Sequence, residues 1–226
     1  MRTLALGDIH GCLTALSTVL DAAGLSNDDR LITLGDYVDR GPDSRGVIDW
    51  LIERQSTVGN LVALRGNHDM MMLAARDGDG LPDWLSVGGR ETLASYGEPL
   101  RMENVPAAHW KFIEAGCRDY FELDDCFFVH GNVDPQLPLD QQSPLMLHWE
   151  KCHDAQPHVS GKTMICGHTA QKSGLPLNLG HAICLDTWVY DPSGWLTCLD
   201  VASGEYWQAN ERGETRIGSL MKDFSA

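Results

Sequence analysis

The chain has 226 residues, 43% of them hydrophobic, with 17 basic against 32 acidic side chains and a net charge of −15. That size and composition suit one α/β domain that buries its core without disulfides, and the acid excess, with no basic run to offset it, repels long nucleic acids. No window approaches the roughly 18 apolar residues of a membrane span, and the opening "MRTLALGDIHG" turns polar too soon for a signal peptide. The expectation is a single cytoplasmic domain over 1–226, with neither membrane nor nucleic acid as a partner.

In chain order, the first third repeats one pattern three times. "RTLAL" leads to "GDIHG" and then "CLTALSTVLDAAG", whose Leu13, Leu16, Val19 and Leu20 recur at helical spacing. "RLITL" leads to "GDYVDRG" and then "SRGVIDWLIER", with Val47, Ile48, Leu51 and Ile52 on one face and Asp43 and Ser44 starting the helix. "NLVAL" leads to "RGNHD" and the helix-prone "MMMLAAR". From Asp8 to Asp36 is 28 residues and from Asp36 to Asn67 is 31, close to a βαβ unit. Each motif therefore sits where a parallel strand ends and its helix begins, the edge at which open α/β sheets bind ligands.

The middle of the chain, about 77–117, is more polar and reads as a helical insertion or cap built around Trp84, Trp110 and Phe112. Strand signals follow in "DYFEL", "CFFVHGN", "KTMICGH", "HAICLD", "GWLTCLDV" and "EYWQAN", with "VASGEYW" predicting a hairpin between the last two. The tail "RGETRIGSLMKDFSA" has no firm period and is expected to fray in part. Seven cysteines are scattered without a CxxC pair, so neither a disulfide framework nor a Cys-type zinc site is expected.

The chemistry concentrates at the strand ends: Asp8 and His10, Asp36, Asn67 and His68, His130 in "FFVHGN", and His168 in "MICGHT". Each follows an apolar run with glycine close by, which lets the backbone turn sharply and a ligand approach. Helix capping explains one acidic residue per junction. It does not explain His10, His68, His130 and His168 all at strand ends. Two aspartates, an asparagine and histidines, without thiolate, make a mixed N/O ligand set suited to manganese, iron or zinc. His109, His148, His153, His158 and His181 lack that glycine context and read as surface or packing residues.

"GDIHG", "GDYVDRG" and "RGNHD", followed by "HG" and then "GHT", resemble the signature of the metallophosphoesterase superfamily, in particular its PPP-type serine/threonine phosphatase branch and the small bacterial and phage members. The resemblance spans Gly7 to Thr169. It implies an α/β fold with a central β-sandwich flanked by helices and a dinuclear metal site between the sheets. Asp8, His10 and Asp36 would hold one divalent ion, with Asp36 bridging to a second completed by Asn67, His130 and His168. Manganese is the first expectation in vitro, with iron or zinc as alternatives. A hydroxide bridging two cations about 3.5–4 Å apart would attack phosphorus directly. His68 would protonate the leaving alkoxide, Asp39 would orient His68, and Arg40 would clamp the phosphoryl oxygens, with Arg65 assisting.

This chain departs from the family pattern in three places. "HWEK" puts Lys151 where small bacterial relatives carry an arginine, a point charge in place of a fork. "DTW" stands where the family often reads "DTG", so Trp188 either lines the site's mouth or packs. Asp69 replaces the usual glutamate of protein phosphatases, a feature shared with dinucleoside tetraphosphate hydrolases. The leading expectation is a metal-dependent phosphomonoesterase acting on phosphoserine or phosphothreonine in a protein or peptide, with phosphotyrosine, aryl phosphates and other small phosphoesters as further substrates. Its rivals are symmetrical diadenosine tetraphosphate hydrolysis, a non-catalytic metal-binding scaffold, and nucleic-acid end processing, which the charge disfavours. The tetraphosphatase branch tends to lack the aspartate at Asp39 and the "GHT" ending, both of which stand here.

Overall fold

A computed structural model of the chain describes residues 1–220. The first third forms the three units expected: β1 (Thr3–Leu6), α1 (Leu13–Ala23), β2 (Arg30–Thr33), α2 (Ser44–Thr57), β3 (Leu61–Ala63) and α3 (Asn67–Arg76). The three strands are parallel neighbours, with Leu4 opposite Leu31 and Ile32 opposite Val62. The helix faces read from periodicity are the faces that pack: Leu16, Val19 and Leu20 of α1, and Val47, Ile48 and Leu51 of α2, are buried. α1 stops at Gly24, whose φ of 61° is the left-handed conformation that glycine adopts without a steric penalty. α2 starts where Asp43 accepts the backbone N–H of Gly46.

Between α3 and the next strand run three short helices, α4 (Leu81–Trp84), α5 (Arg90–Ser95) and α6 (Ala107–Lys111), interrupted by wide π-helical turns at Leu85–Gly89 and Phe112–Gly116. Trp84, Leu93, Phe112 and Ile113 from this segment join the core formed on the helical face of the first sheet. The second half supplies β4 (Tyr120–Glu122), β5 (Cys126–Val129), α7 (Pro144–Trp149), β6 (Thr163–Cys166), β7 (Leu177–Asn178), β8 (Ala182–Cys184), β9 (Leu196–Asp200), β10 (Glu205–Ala209) and β11 (Thr215–Ser219).

Two sheets result, of strand order β11-β10-β9-β1-β2-β3 and β4-β5-β6-β8-β7. The predicted hairpin is present as the antiparallel β9–β10 pair, and β9 runs antiparallel to β1, closing the C-terminal strands onto the first sheet. The expected fraying of the tail is not found among its described residues: Arg212 and Gly213 sit in a turn bonded to Asn210, and the residues after it form β11, because five backbone pairs to β10 order a stretch that carries no hydrophobic period of its own. The rest of that tail, 221–226, lies outside the described residues.

Strand alternation sorts the side chains into layers. Leu4 and Leu6 of β1 face the helices, whereas Ala5 faces the second sheet with Ile32, Leu34, Phe128, Ile165 and Leu185. Phe127, Val129, Met164, Cys166 and Cys184 point to the far side of the second sheet, under α7. Each fully buried Leu, Ile or Phe contributes about 1.5–3 kcal/mol. The sandwich therefore holds the ends of six strands in fixed relation at one edge. Replacing Asp43 with alanine should lower the stability of the metal-free protein by about 1 kcal/mol, with Asp43→Asn close to wild type, as read by chemical denaturation.

Candidate metal centre and active site

The strand-end residues singled out in the sequence converge at one edge of the sandwich, in a cleft of about 490 Å³ lined by Asp8, Asp36, Arg40, Asn67, His68 and His168 among others. Six non-glycine residues among those described have positive φ, and all six surround this cleft: His10, Asp36, Asp39, Arg40, His168 and Trp188, between 46° and 75°. Such backbone costs on the order of 1–3 kcal/mol per residue, so the surrounding contacts must hold it. Glycine clears the remaining space: a Cβ on Gly66 would stand 2.1 Å from Asp36 Oδ1, and one on Gly167 would stand 2.0 Å from Asp8 Oδ1.

Asp36 is the centre of the arrangement. Its Oδ2 lies 3.5 Å from His10 Nε2 and its Oδ1 lies 3.5 Å from His130 Nε2, so the two oxygens face opposite halves of the site. The ligating atoms of Asp8, Asp36 and His130 lie within 4.8 Å of one another, as do those of His10, Asp36 and His68. Asp8 is pinned by the backbone N–H of His168, at 3.0 Å from Oδ2. Asn67 Oδ1 lies 3.0 Å from His130 Nε2 and 2.9 Å from His168 Nδ1.

The imidazole tautomers follow from the outer hydrogen bonds. His10 Nδ1–H donates to the carbonyl of Val38 at 2.9 Å, His130 Nδ1–H to Leu34 at 2.8 Å, and His168 Nε2–H to Trp149 at 2.8 Å. A carbonyl can only accept, so the protons sit on those nitrogens and the inward nitrogens carry lone pairs. Burial pushes the pKa of His10 well below its ordinary value, that of His130 to about 4, and that of His168 down, which keeps all three neutral.

The carboxylates are crowded to match. Burial first, then the charges of Asp186 and Asp36, push Asp8 well above the usual carboxylate range. Burial likewise raises Asp186, which lies in the same cleft, to about 6. For Asp36, burial would raise the pKa, but the charge that His130, His68, His10 and His168 acquire when acid protonates them outweighs it and holds the carboxyl low. Neutral imidazoles, an inward amide oxygen and buried carboxylates aimed at the same space form a set of acceptors that lacks cations, and buried carboxylates left uncompensated cost several kcal/mol each. Divalent ions fit that deficit.

Beside this centre stands a second group. His68 Nδ1 donates to Asp39 Oδ2 at 2.7 Å, and its backbone N–H donates to Asp36 Oδ1 at 2.9 Å. Asp39 is itself held from the helical segment: Trp84 Nε1–H donates to Oδ2 at 3.0 Å and the Thr92 hydroxyl to Oδ1 at 2.7 Å. Burial opposes a charge on His68, but Asp36 and Asp39 overcome it and raise the imidazole's pKa. Burial also favours a proton on Asp39; the short hydrogen bond and the added donors from Trp84 and Thr92 favour placing the shared proton on His68. Arg40 reaches over the cleft with Nη1 2.7 Å from His10 Nε2 and Nη2 2.8 Å from His68 Nε2, its guanidinium 4.4 Å from the ring centre of Tyr190.

Other expected residues fare differently. Arg65, expected to assist in phosphate binding, turns away: its Nε donates to Ile113 O and its Nη2 to Glu114 O and Cys117 O, so the guanidinium ties β3 to the end of the helical segment. Lys151 does line the cleft, together with His153 and Lys172. Trp188 is half-buried, its backbone N–H donating to Asp186 Oδ1 at 3.0 Å and its ring packed edge-on against Tyr190. Asp69 points inward, accepting the backbone N–H groups of Asp36, Tyr37 and Gly66 and so locking the second motif to the third. His109, His148 and His158 are buried packing residues with partners of their own. Asp186, Lys172 and Tyr190 escaped the sequence reading; an acid directly after the apolar run "HAICL" is the signal that could have found the first.

The geometry has counterparts among known proteins. A sequence profile described as calcineurin-like phosphoesterase matches residues 1–174. This chain belongs to that family. The resemblance drawn from the motifs is thereby borne out, as is the two-sheet fold it implied. The chain is 41% identical over 85 residues to serine/threonine-protein phosphatase 1 of Salmonella typhimurium, covering 37% of each protein. It is 36% identical over 147 residues to the symmetrical bis(5'-nucleosyl)-tetraphosphatase of Pseudomonas fluorescens, covering 62% of this chain and 46% of that one. The chain thus spans less than half the length of these curated relatives. A cold-active protein-tyrosine phosphatase of a Shewanella species shares the fold, with a TM-score of 0.64 at 16% identity over 96% of this chain and 80% of that one. No helix among the described residues is long and apolar enough to cross a membrane.

The family uses a dinuclear divalent metal site, and the acceptor set around Asp36 fits one. Asp36→Asn should abolish the binding of the second equivalent of manganese in calorimetric titration and leave the first weakened. Two equivalents bound at wild-type affinity would refute the central place given to this carboxylate.

Proposed function

We propose that the chain is a metal-dependent phosphomonoesterase of the serine/threonine protein phosphatase type. Asp8, His10 and Asp36 would hold one divalent cation, and Asp36, Asn67, His130 and His168 the other. When bound, such ions supply Lewis-acid neutralisation of phosphoryl charge and a water acidified enough to serve as nucleophile at neutral pH. Manganese is the first metal to try, with iron and zinc next.

The remaining work falls to this chain's own side chains. Arg40 offers a planar fork at the mouth of the centre, within reach of the positions that a phosphoryl group's oxygens would take. An anionic phosphoryl group would draw that fork away from His10 and His68, leaving His68 Nε2 facing the ester oxygen. His68, held by Asp39 and raised in pKa, then donates its proton to the departing alkoxide. Lys151 and Lys172 add positive charge at the rim of an otherwise acidic protein and favour an anionic substrate.

The observation that carries the ester reading is the His68–Asp39 pair at 2.7 Å, with Trp84 and Thr92 holding the carboxylate in place. An alkoxide is a poor leaving group and needs that proton; the phosphate leaving group of an anhydride needs it far less. His68→Asn should slow hydrolysis of phosphoserine peptides by about 10²–10⁴-fold and of p-nitrophenyl phosphate much less, in steady-state assays with manganese. Equal losses on both would remove the acid role.

A second reading is symmetrical hydrolysis of dinucleoside tetraphosphates. It is favoured by the longer match to the tetraphosphatase of Pseudomonas fluorescens, 147 residues against 85 for the phosphatase of Salmonella typhimurium. Rates on a phosphoserine peptide and on diadenosine tetraphosphate, measured side by side with manganese, separate the two. The peptide should give the higher kcat/KM; a preference for the dinucleotide would establish the second reading instead.

A further inference from the structure

All seven cysteines are buried and none is paired, but they are not evenly spread. The Sγ atoms of Cys152, Cys166 and Cys184 all lie within 4.8 Å of one another. Cys166 and Cys184 stand directly opposite each other on the parallel neighbours β6 and β8, pointing to the far face of the second sheet. Cys152 comes down onto them from the irregular stretch 150–162 that follows α7. Its backbone N–H is anchored to the Thr169 hydroxyl at 3.0 Å. Each of the three residues is at most 1% exposed.

Thiols behave as small hydrophobes in many cores, and three scattered ones would need no other account. Here three meet at one point, and the point has the dimensions of a metal site. Metal–thiolate bonds of about 2.3 Å set three sulfurs around one ion at roughly 4 Å from each other. Sulfurs that all lie within 4.8 Å of one another are compatible with that spacing. No imidazole or carboxylate belongs to the group, so hard cations find no anionic oxygen ligand in it. The three cysteines belong to one buried apolar cluster with Phe127, Val129, Leu147 and Met164, a setting poorly suited to a water as fourth ligand. A soft ion content with three sulfurs matches that coordination.

We propose that Cys152, Cys166 and Cys184 form a three-sulfur site for a thiophilic monovalent cation, with Cu(I) as the ion that fits it. Binding converts the coordinating thiols to thiolates, and their protons leave to solvent. The site is also wired to the phosphoesterase centre. Cys184 Sγ–H donates to Gly167 O at 3.2 Å and Thr169 O at 3.4 Å, the carbonyls on either side of His168. Loading the sulfurs withdraws that donor from the turn that positions His168, and slower turnover follows as a secondary effect.

The test uses the full chain, reduced and free of oxygen, titrated with Cu(I) against a chromogenic Cu(I) chelator. One ion per chain should be retained by the wild type and by Cys117→Ala, a buried cysteine outside the cluster. Cys152→Ala and Cys184→Ala should weaken binding by at least the roughly 10–100-fold that lost outer-shell partners cost metal sites. X-ray absorption of the copper-loaded wild type should show sulfur scatterers alone, a readout that stands even if a variant fails to fold. Nitrogen or oxygen scatterers, equal retention by all folded variants, or no retention by the wild type would overturn the proposal.

Discussion

Electrostatic crowding around Asp36 is the constraint to which the rest of the cleft answers. A carboxylate at 2% exposure is flanked by Asp8 and by imidazoles that burial keeps neutral, and Asp186 lies close to Asp8. Such a set is stable only if positive charge is brought to it. In the structure the guanidinium of Arg40 leans over the opening toward His10, and in the family a pair of divalent ions supplies far more. The left-handed backbone at Asp36, His10 and His168 is the conformational counterpart of the same demand: the side chains are turned inward at a cost the sandwich has to absorb.

The sandwich absorbs it by rigidity. Three parallel strands of one sheet and three of the other end at the same edge, and buried layers on both faces of each sheet fix their relative height. The helical segment between β3 and β4 adds a second function to its packing. Trp84 and Thr92 bond Asp39, and the Gly88 carbonyl approaches Arg40 N, so the orientation of the His68 pair is set by residues that are not themselves at the cleft floor. Arg65 anchors the far end of that segment through three carbonyls.

Much of the first half of the fold was legible, because hydrophobic period, glycine placement and helix starts are local properties. The three β-motif-α units follow from patterns within about 30 residues, and Asp43 caps α2 where the sequence put its start. β11 was not legible, since its order comes from pairing with β10 and not from its own pattern. Arg65 was misread for a similar reason: a basic residue next to "GNHD" looks like a phosphate ligand until the chain from 113 to 117 is seen to supply its acceptors.

What the sequence determined by itself is the inventory and its order: which strand ends carry oxygen and nitrogen ligands, that Asp39 and His68 are both present, and that sulfur is absent from the motifs. What the tertiary structure alone decided is which atoms meet. Asn67 and His168 touch across 101 residues, and the His130 imidazole is oriented by a carbonyl 96 residues earlier in the chain. Asp186 is delivered by β8, and the three sulfurs converge because β6 and β8 pair in a register that puts Cys166 opposite Cys184. Register, strand neighbours and side-chain facing are set by long-range packing, which no local pattern encodes.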